Sequence, residues 1–152
     1  MDDVVPSLAS TDPLDVLEAD FEKRRSDWKT KIISIIEMLR NMETLAESQV
    51  LMLSYRHILT DNMATVRLAI SRAKTNYGNA YKVTYRKYFQ DDISLSPTEK
   101  NYMVKSDMTP YQRRIDILNA YLEYLKECVN TLDNMGFAND RMVKITKHLS
   151  GA

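Results

Sequence analysis

The scarcity of helix-breaking residues constrains this chain more than any other feature. Its 152 residues include three glycines and four prolines, and no proline lies between Leu14 and Ser96. A β-sheet protein of this length needs many more turn residues between its strands. The proline-free stretch is instead rich in Ala, Leu, Met, Glu, Lys and Arg, which favour helices. The sequence therefore predicts an all-α protein built from long helices.

Composition limits the class of protein and its compartment. Hydrophobic residues make up 44% of the chain and charged residues 28%, which is typical of a globular protein. The longest strongly apolar run, over 32–36, is far shorter than the roughly 20 residues that span a bilayer, so no membrane partner is expected. Cys128 is the only cysteine, so an internal disulfide and a four-cysteine zinc site are excluded. A reducing cytoplasm is the expected location.

Prolines, caps and apolar spacing divide the chain into four segments. Residues 1–11 are predicted to be a flexible acidic lead, and residues 12–90 a helical unit with a bend near 41–43. Residues 91–109 are polar and predicted to be a linker holding at most a short helical turn. Residues 110–152 are predicted to form a second helical unit, opened by a proline at its first helical position.

Individual helix boundaries follow from local signals. Thr11 or Asp12 can cap the first helix, since Pro13 follows at the position where a missing N–H costs nothing. The polar cluster at 60–62 favours a turn between two helices. Gly136 is predicted to end the main helix of the second unit, because glycine readily adopts the left-handed conformation that closes helices. A short final helix is expected over 139–149.

The second helical unit carries an apolar stripe with coiled-coil spacing. Intervals of three and four residues alternate over about three heptads, the a/d pattern of a left-handed supercoil. The stripe consists of Ile115, Leu118, Leu122, Leu125, Val129 and Leu132. One interpretation is packing against the first or second helix of the same chain. The regular heptad favours the other, in which these six residues form a coiled-coil-like helix that joins chains into a homo-oligomer.

Charge is distributed unevenly although the net charge is zero. Residues 1–22 contain seven acids and no base, whereas residues 62–90 contain six bases and no acid. An ordinary solvated helix face mixes both signs, so the basic segment indicates a site for a polyanion.

Aromatic residues alternate with the bases of this segment. Tyr77, Tyr81, Tyr85 and Tyr88 follow at steps of four, four and three, which predicts one shared helix face. Single-stranded nucleic acid needs cations for its phosphates and rings for its bases. The predicted DNA-binding residues are Arg67, Arg72, Lys74, Tyr81, Lys82, Tyr85, Arg86 and Lys87. The alternative is a tyrosine stripe that packs in the core beneath a solvated cationic surface.

Catalytic and metal-binding motifs are missing from the sequence. His57 and His148 have no partner at the spacing of a metal site or a catalytic triad. The chain contains no glycine-rich phosphate loop and no nucleophile elbow. The sequence therefore predicts a binding protein without enzymatic activity, cofactor or metal.

A helical pair, a basic tyrosine-rich helix end, a polar linker and an amphipathic helix follow one another in this chain. This order resembles the UvsY-type recombination mediators of T4-like bacteriophages. The resemblance rests mainly on the C-terminal part, at 99–100, 116–132, 134–138 and the terminal amphipathic helix. It extends more weakly to 49–67 and 81–89.

The resemblance implies a homo-oligomeric ring that binds single-stranded DNA in recombination and repair. It implies that the ring helps a RecA-type recombinase to displace single-strand-binding protein, in the host cytoplasm if the gene is phage-encoded. Lys82 matches the lysine of the family's Lys-x-Arg pair, but Thr84 stands at the arginine position, so Arg86 or Lys87 is expected to supply that charge. The rival hypothesis is a helical assembly or secretion chaperone, or a scaffold, with no nucleic acid partner.

Overall fold

The protein consists of three long helices joined by short connections. The computed structural model describes residues 12–90 and 93–151, and these residues contain helices and no strand. Helix α1 covers Pro13–Leu39, α2 covers Leu45–Phe89 and α3 covers Pro97–Leu149, with a 3₁₀ turn at Met42–Thr44 before α2. None of these helices has an apolar stretch long enough to cross a membrane. The predicted all-α class is confirmed, while the predicted lead at 1–11 lies outside the described residues.

Side-chain caps determine where α1 and α3 begin. Asp12 caps α1 by accepting a 2.9 Å hydrogen bond from the backbone N–H two residues on, as predicted. Ser96 and Glu99 form a capping box at the start of α3, in which the Ser96 N–H donates to Glu99 Oε2 at 2.8 Å. Hydrogen bonds from Ser96 lower the pKa of Glu99. The bend predicted near 41–43 is confirmed by the 3₁₀ turn between α1 and α2.

The linker predicted over 91–109 is wrong from Pro97 onward, because these residues form the first part of α3. These residues are mostly polar, and the few apolar ones that are buried lie on one face of the helix. Val104 and Met108 are buried against Tyr88 of α2 and form a small second core, named here the tip core. A helix that packs against a single neighbour needs few buried side chains, and here two suffice. Most of the remaining residues are polar, so the composition of this segment resembles that of a linker.

Two further helix ends predicted from sequence are also wrong. The cluster at 60–62 lies inside α2, where the Thr60 hydroxyl donates to the Arg56 carbonyl at 2.9 Å instead of capping a new helix. Gly136 lies inside α3, so the short final helix expected over 139–149 belongs to α3 as well. A Cβ at Gly136 would lie 3.7 Å from the Met52 side chain, so α3 packs closely on α2 there. These contacts offset the glycine cost of about 1 kcal/mol.

The helices form a bundle in which α1 and α3 run parallel and α2 runs antiparallel to both. Phe21 of α1 stacks on Tyr121 of α3, with ring centroids 4.2 Å apart. Further along α3, Asp133 binds Arg56 near the start of α2 at 2.7 Å. The two units predicted at 12–90 and 110–152 therefore contribute to one bundle.

The heptad stripe of α3 lies in the core of this bundle. Ile115, Leu118, Leu122, Leu125 and Leu132 are each at most 7% exposed, and Val129 packs against them. They pack with buried residues of α1 and α2 within a single chain. Packing inside one chain, the alternative left open by the sequence, thus accounts for their burial. Self-association stays a prediction, and these six residues do not need a second subunit to cover them.

Helices α2 and α3 extend past the start of α1. Arg113 of α3 contacts the first turns of α1 through Asp15 and Glu18. In the described part of the chain, residues 77–89 of α2 and 97–112 of α3 continue beyond this point as a two-helix arm. The tip core closes the arm, and Tyr77 packs against both this core and that of the bundle.

Pro110 lies inside α3 near the base of the arm. Its ring removes one backbone hydrogen bond and crowds the preceding turn, at a cost of roughly 3 kcal/mol relative to alanine. Pro110→Ala is therefore expected to raise the free energy of unfolding by about 1–3 kcal/mol. This range allows for the greater conformational entropy of the unfolded chain once the proline is replaced. Thermal unfolding followed by circular dichroism measures this gain. Pro97→Ala is the matched control, since Pro97 stands at the first helical position and its replacement should change stability little. A Pro110→Ala protein no more stable than Pro97→Ala would contradict this prediction.

Candidate nucleic-acid interface

The six predicted cations of α2 are all exposed. They are Arg67, Arg72, Lys74, Lys82, Arg86 and Lys87. Among the described residues, the first five of these form no ion pair. Arg86 lies one turn beyond Lys82, so their side chains are neighbours on the helix surface. This part of α2 therefore presents positive charge that no acid of the described chain neutralises directly.

Three rings stand beside these cations in a continuous stack. Tyr81 and Tyr85 have centroids 6.1 Å apart at 29°, and Tyr85 and Phe89 have centroids 4.4 Å apart at 10°. Tyr81 and Tyr85 are 42% and 41% exposed, so their rings reach solvent. We name these three residues the aromatic ladder. The predicted DNA-binding tyrosines, Tyr81 and Tyr85, thus lie together on the surface of the arm.

The tyrosine stripe predicted from sequence is wrong at Tyr88. Tyr88 is 5% exposed in the tip core, and its hydroxyl donates to Asp107 of α3 at 2.8 Å. Tyr77 is half-buried between the two cores. A step of three turns Tyr88 towards α3, whereas a step of four keeps Phe89 on the ladder. The equal steps of 81, 85 and 89 were the sequence signal for this ladder.

Lys87 differs from the other predicted cations. Its ammonium lies 3.6 Å from Asp107 Oδ2 and 4.8 Å from the centroid of the Tyr88 ring. Interactions with Tyr88 and then Asp107 raise the pKa of Lys87. Lys87 therefore joins α2 to α3 at the end of the arm and is less available to a phosphate than Lys82 or Arg86.

Three acids at the start of α1, Asp12, Asp15 and Glu18, face α3 rather than the basic part of α2. Arg113 lies 2.6 Å from Asp15, 3.0 Å from Glu18 and 3.6 Å from Asp12. Hydrogen bonds that Arg113 donates to the carboxylates of Asp15 and Glu18 raise the pKa of Arg113. Nothing in the sequence distinguished Arg113 from the neighbouring Arg114. These three acids therefore contact α3 at the point where the bundle ends and the arm begins.

A groove of about 610 Å³ lies between the two helices of the arm, next to the ladder. We name it the arm groove. Tyr77 and Tyr81 line it from α2, and Val104 and Met108 form part of its apolar surface from α3. Polar side chains of α3 complete the lining, namely Asn101, Lys105, Thr109, Gln112, Arg113 and Asp116. Sequence reasoning missed this groove because it assigned most of its α3 residues to a linker.

The structure describes the surroundings of His57 and Cys128. His57 is exposed, and its Nε2 lies 3.7 Å from Asp61. Cys128 is buried, and burial raises the pKa of its thiol, which disfavours the nucleophilic thiolate. Within residues 12–90 and 93–151, no group of three His, Cys, Asp or Glu side chains could hold a metal ion.

No family model, curated protein or solved structure matches this chain. The exposed cations, the aromatic ladder and the arm groove are therefore the features from which a function has to be inferred.

Proposed function

We propose that this protein is a non-enzymatic recombination mediator that binds single-stranded DNA. In this role it helps to load a RecA-type recombinase onto DNA covered by single-strand-binding protein. The recombinase and the single-strand-binding protein enter the proposal through the sequence resemblance to UvsY-type mediators. The DNA-binding part is also supported by the surface of α2.

The aromatic ladder beside unpaired cations is the observation that carries the proposal. Base stacking on an aromatic ring contributes about 1–3 kcal/mol per base and depends little on sequence. Such stacking requires unpaired bases, which favours single strands over a duplex. Lys82 and Arg86 lie within one turn of Tyr85, so phosphates and bases of one strand have partners at adjacent positions.

Self-association is part of the proposal, because several weak sites that share one strand act through effective concentration. The heptad stripe is covered inside each chain, so an interface between copies needs other apolar residues. Four exposed apolar side chains lie near the end of α3, namely Phe137, Met142, Ile145 and Leu149.

The salt dependence of binding tests the proposed function. Affinity for oligo-dT, measured by fluorescence anisotropy, should fall steeply as salt rises, with a log–log slope of about −0.7 per neutralised phosphate. Replacing Lys82 and Arg86 together by alanine removes two phosphate contacts. The slope should therefore flatten by about one to two units per engaged subunit, for every base sequence alike.

The double variant Lys144→Ala and Lys147→Ala is the matched control. It makes the same change in charge at the opposite end of the bundle, close to the end of α3. This control should retain the wild-type slope. If wild-type protein shows no salt-sensitive binding to oligo-dT at about 50 mM salt, the mediator hypothesis is wrong.

A helical chaperone or scaffold without a nucleic acid partner is the second candidate, favoured by a different surface. A groove of about 620 Å³ lies between the start of α2 and the end of α3. Leu53 and Phe137 on its walls are 71% and 69% exposed. The Asn139 side chain, which also lines it, is 4% exposed and has no hydrogen-bond partner among the described residues. A protein partner at this groove without DNA binding would support this candidate.

A further inference from the structure

The arm groove continues the space that α1 fills in the bundle. Helix α1 packs against α3 up to its first turns, where Asp15 and Glu18 bind Arg113. Beyond Arg113 the groove runs on between the two arm helices, and none of its lining residues comes from α1. The described chain thus leaves a partly apolar groove open in its arm.

The groove opens directly beside the aromatic ladder, because Tyr81 belongs to both. Tyr81 therefore forms part of one wall, while Val104 and Met108, which are 5% and 3% exposed, lie at the base of the groove. Gln112 adds an amide group, whose Nε2 donates to Asp116 at 2.8 Å and whose oxygen can accept a hydrogen bond. An unpaired base is recognised by this combination of a ring for its face and an amide for its polar edge.

The charges around the arm groove limit which part of a DNA strand can enter it. The bundle end of the groove carries the Arg113 guanidinium together with carboxylates that bind it, and Asp116 lines the groove there as well. Lys105 lies in the lining nearer the end of the arm. Phosphates are repelled by the carboxylates and attracted by the exposed Lys74 and Lys82 of α2. A neutral base can therefore enter the groove while its phosphates stay outside on the basic side.

Building on the proposed function, we propose that the arm groove is a base pocket for single-stranded DNA. One base of the bound strand leaves the neighbouring bases and packs against Tyr81 from the side of the groove. Its polar edge points towards Gln112, and its flanking phosphates remain near Lys74 and Lys82. The pocket gives the protein one position at which base identity affects affinity, next to a ladder that tolerates any base.

Filling the groove tests this pocket separately from the ladder and the cations. Thr109→Leu and Asn101→Leu each add an aliphatic side chain at an exposed lining position, so folding should persist. Affinity is measured for oligo-dT and for an abasic oligomer of equal length. Wild type should prefer oligo-dT, and each filled variant should lose about fivefold or more of that preference. Binding of the abasic oligomer should stay unchanged, because the phosphate contacts remain.

Ser106→Leu is the control, since Ser106 is exposed on α3 and does not line the groove. It should keep the wild-type preference for oligo-dT. An undiminished preference in both filled variants would overturn the base pocket while leaving the mediator hypothesis standing. A filled variant that loses mass in light scattering but keeps its preference would instead make the groove a protein contact. Failure of wild-type protein to bind either oligomer in a salt-dependent way would refute the proposed function and the pocket together.

Discussion

Replacing Leu125 by aspartate is expected to unfold the chain rather than to separate folded subunits. Leu125 is fully buried among side chains of the bundle core. The substitution removes an apolar side chain whose burial contributes about 1.5–3 kcal/mol. It also places an unpaired carboxylate in the core, at a cost of several kcal/mol. The sum is comparable to the whole stability of a typical domain, about 5–15 kcal/mol. Loss of the helical circular dichroism signal at room temperature, or a greatly lowered Tm, measures this effect.

Leu68→Asp is the matched control for this prediction. Leu68 lies on α2 and is 53% exposed, so the same substitution there should leave the fold intact. Light scattering separates the two interpretations of the heptad stripe. A Leu125→Asp protein that stays helical but has a lower mass would show that the stripe joins subunits, contrary to the packing in the single chain.

The heptad stripe shows how far sequence can predict the packing of a helix. The intervals of three and four residues indicated which side of α3 is buried, and five of the six stripe residues are at most 7% exposed. They did not reveal the partner, because a helix of the same chain and a helix of another chain bury the same pattern. Tyr121 and Cys128 are buried beside the stripe and widen the apolar face, which therefore needs more than one neighbouring helix to cover it. In the structure these neighbours are α1 and α2.

Helix boundaries were predictable where a side chain caps the helix. They were not predictable where packing against another helix determines whether the helix continues. Asp12 marks the start of α1 by a local hydrogen bond, and such a signal is visible in sequence. Gly136 and Pro110 are also strong local signals, yet α3 continues through both. Contacts with α2, which sequence does not show, outweigh costs of about 1–3 kcal/mol at these positions.

The candidate interface was predicted in its composition but not in its geometry. All eight predicted DNA-binding residues are exposed, and their role in binding stays a prediction. Phe89 and the arm groove were missed. The ladder depends on which way each ring turns, and the groove exists only because α3 lies beside α2 through the region predicted to be a linker.

Removing both exposed rings of the ladder is expected to abolish most of the affinity for single strands. If Tyr81 and Tyr85 each stack on a base, the double alanine variant should lose about 2–6 kcal/mol of binding free energy. The slope of affinity against salt should change little, because stacking releases no counterions. Titration of oligo-dT at several salt concentrations measures both quantities.

The corresponding double phenylalanine variant isolates the role of the rings. It keeps both aromatic faces and removes only hydroxyl groups, so it should bind nearly as tightly as wild type. Tyr88→Ala is a control for folding, since Tyr88 is buried and hydrogen-bonded to Asp107, and it should lower the Tm. A double alanine variant that unfolds as readily as Tyr88→Ala would place Tyr81 and Tyr85 in the core. One that folds normally and keeps wild-type affinity would show that the cations alone hold the strand, because no binding energy would then depend on the ladder.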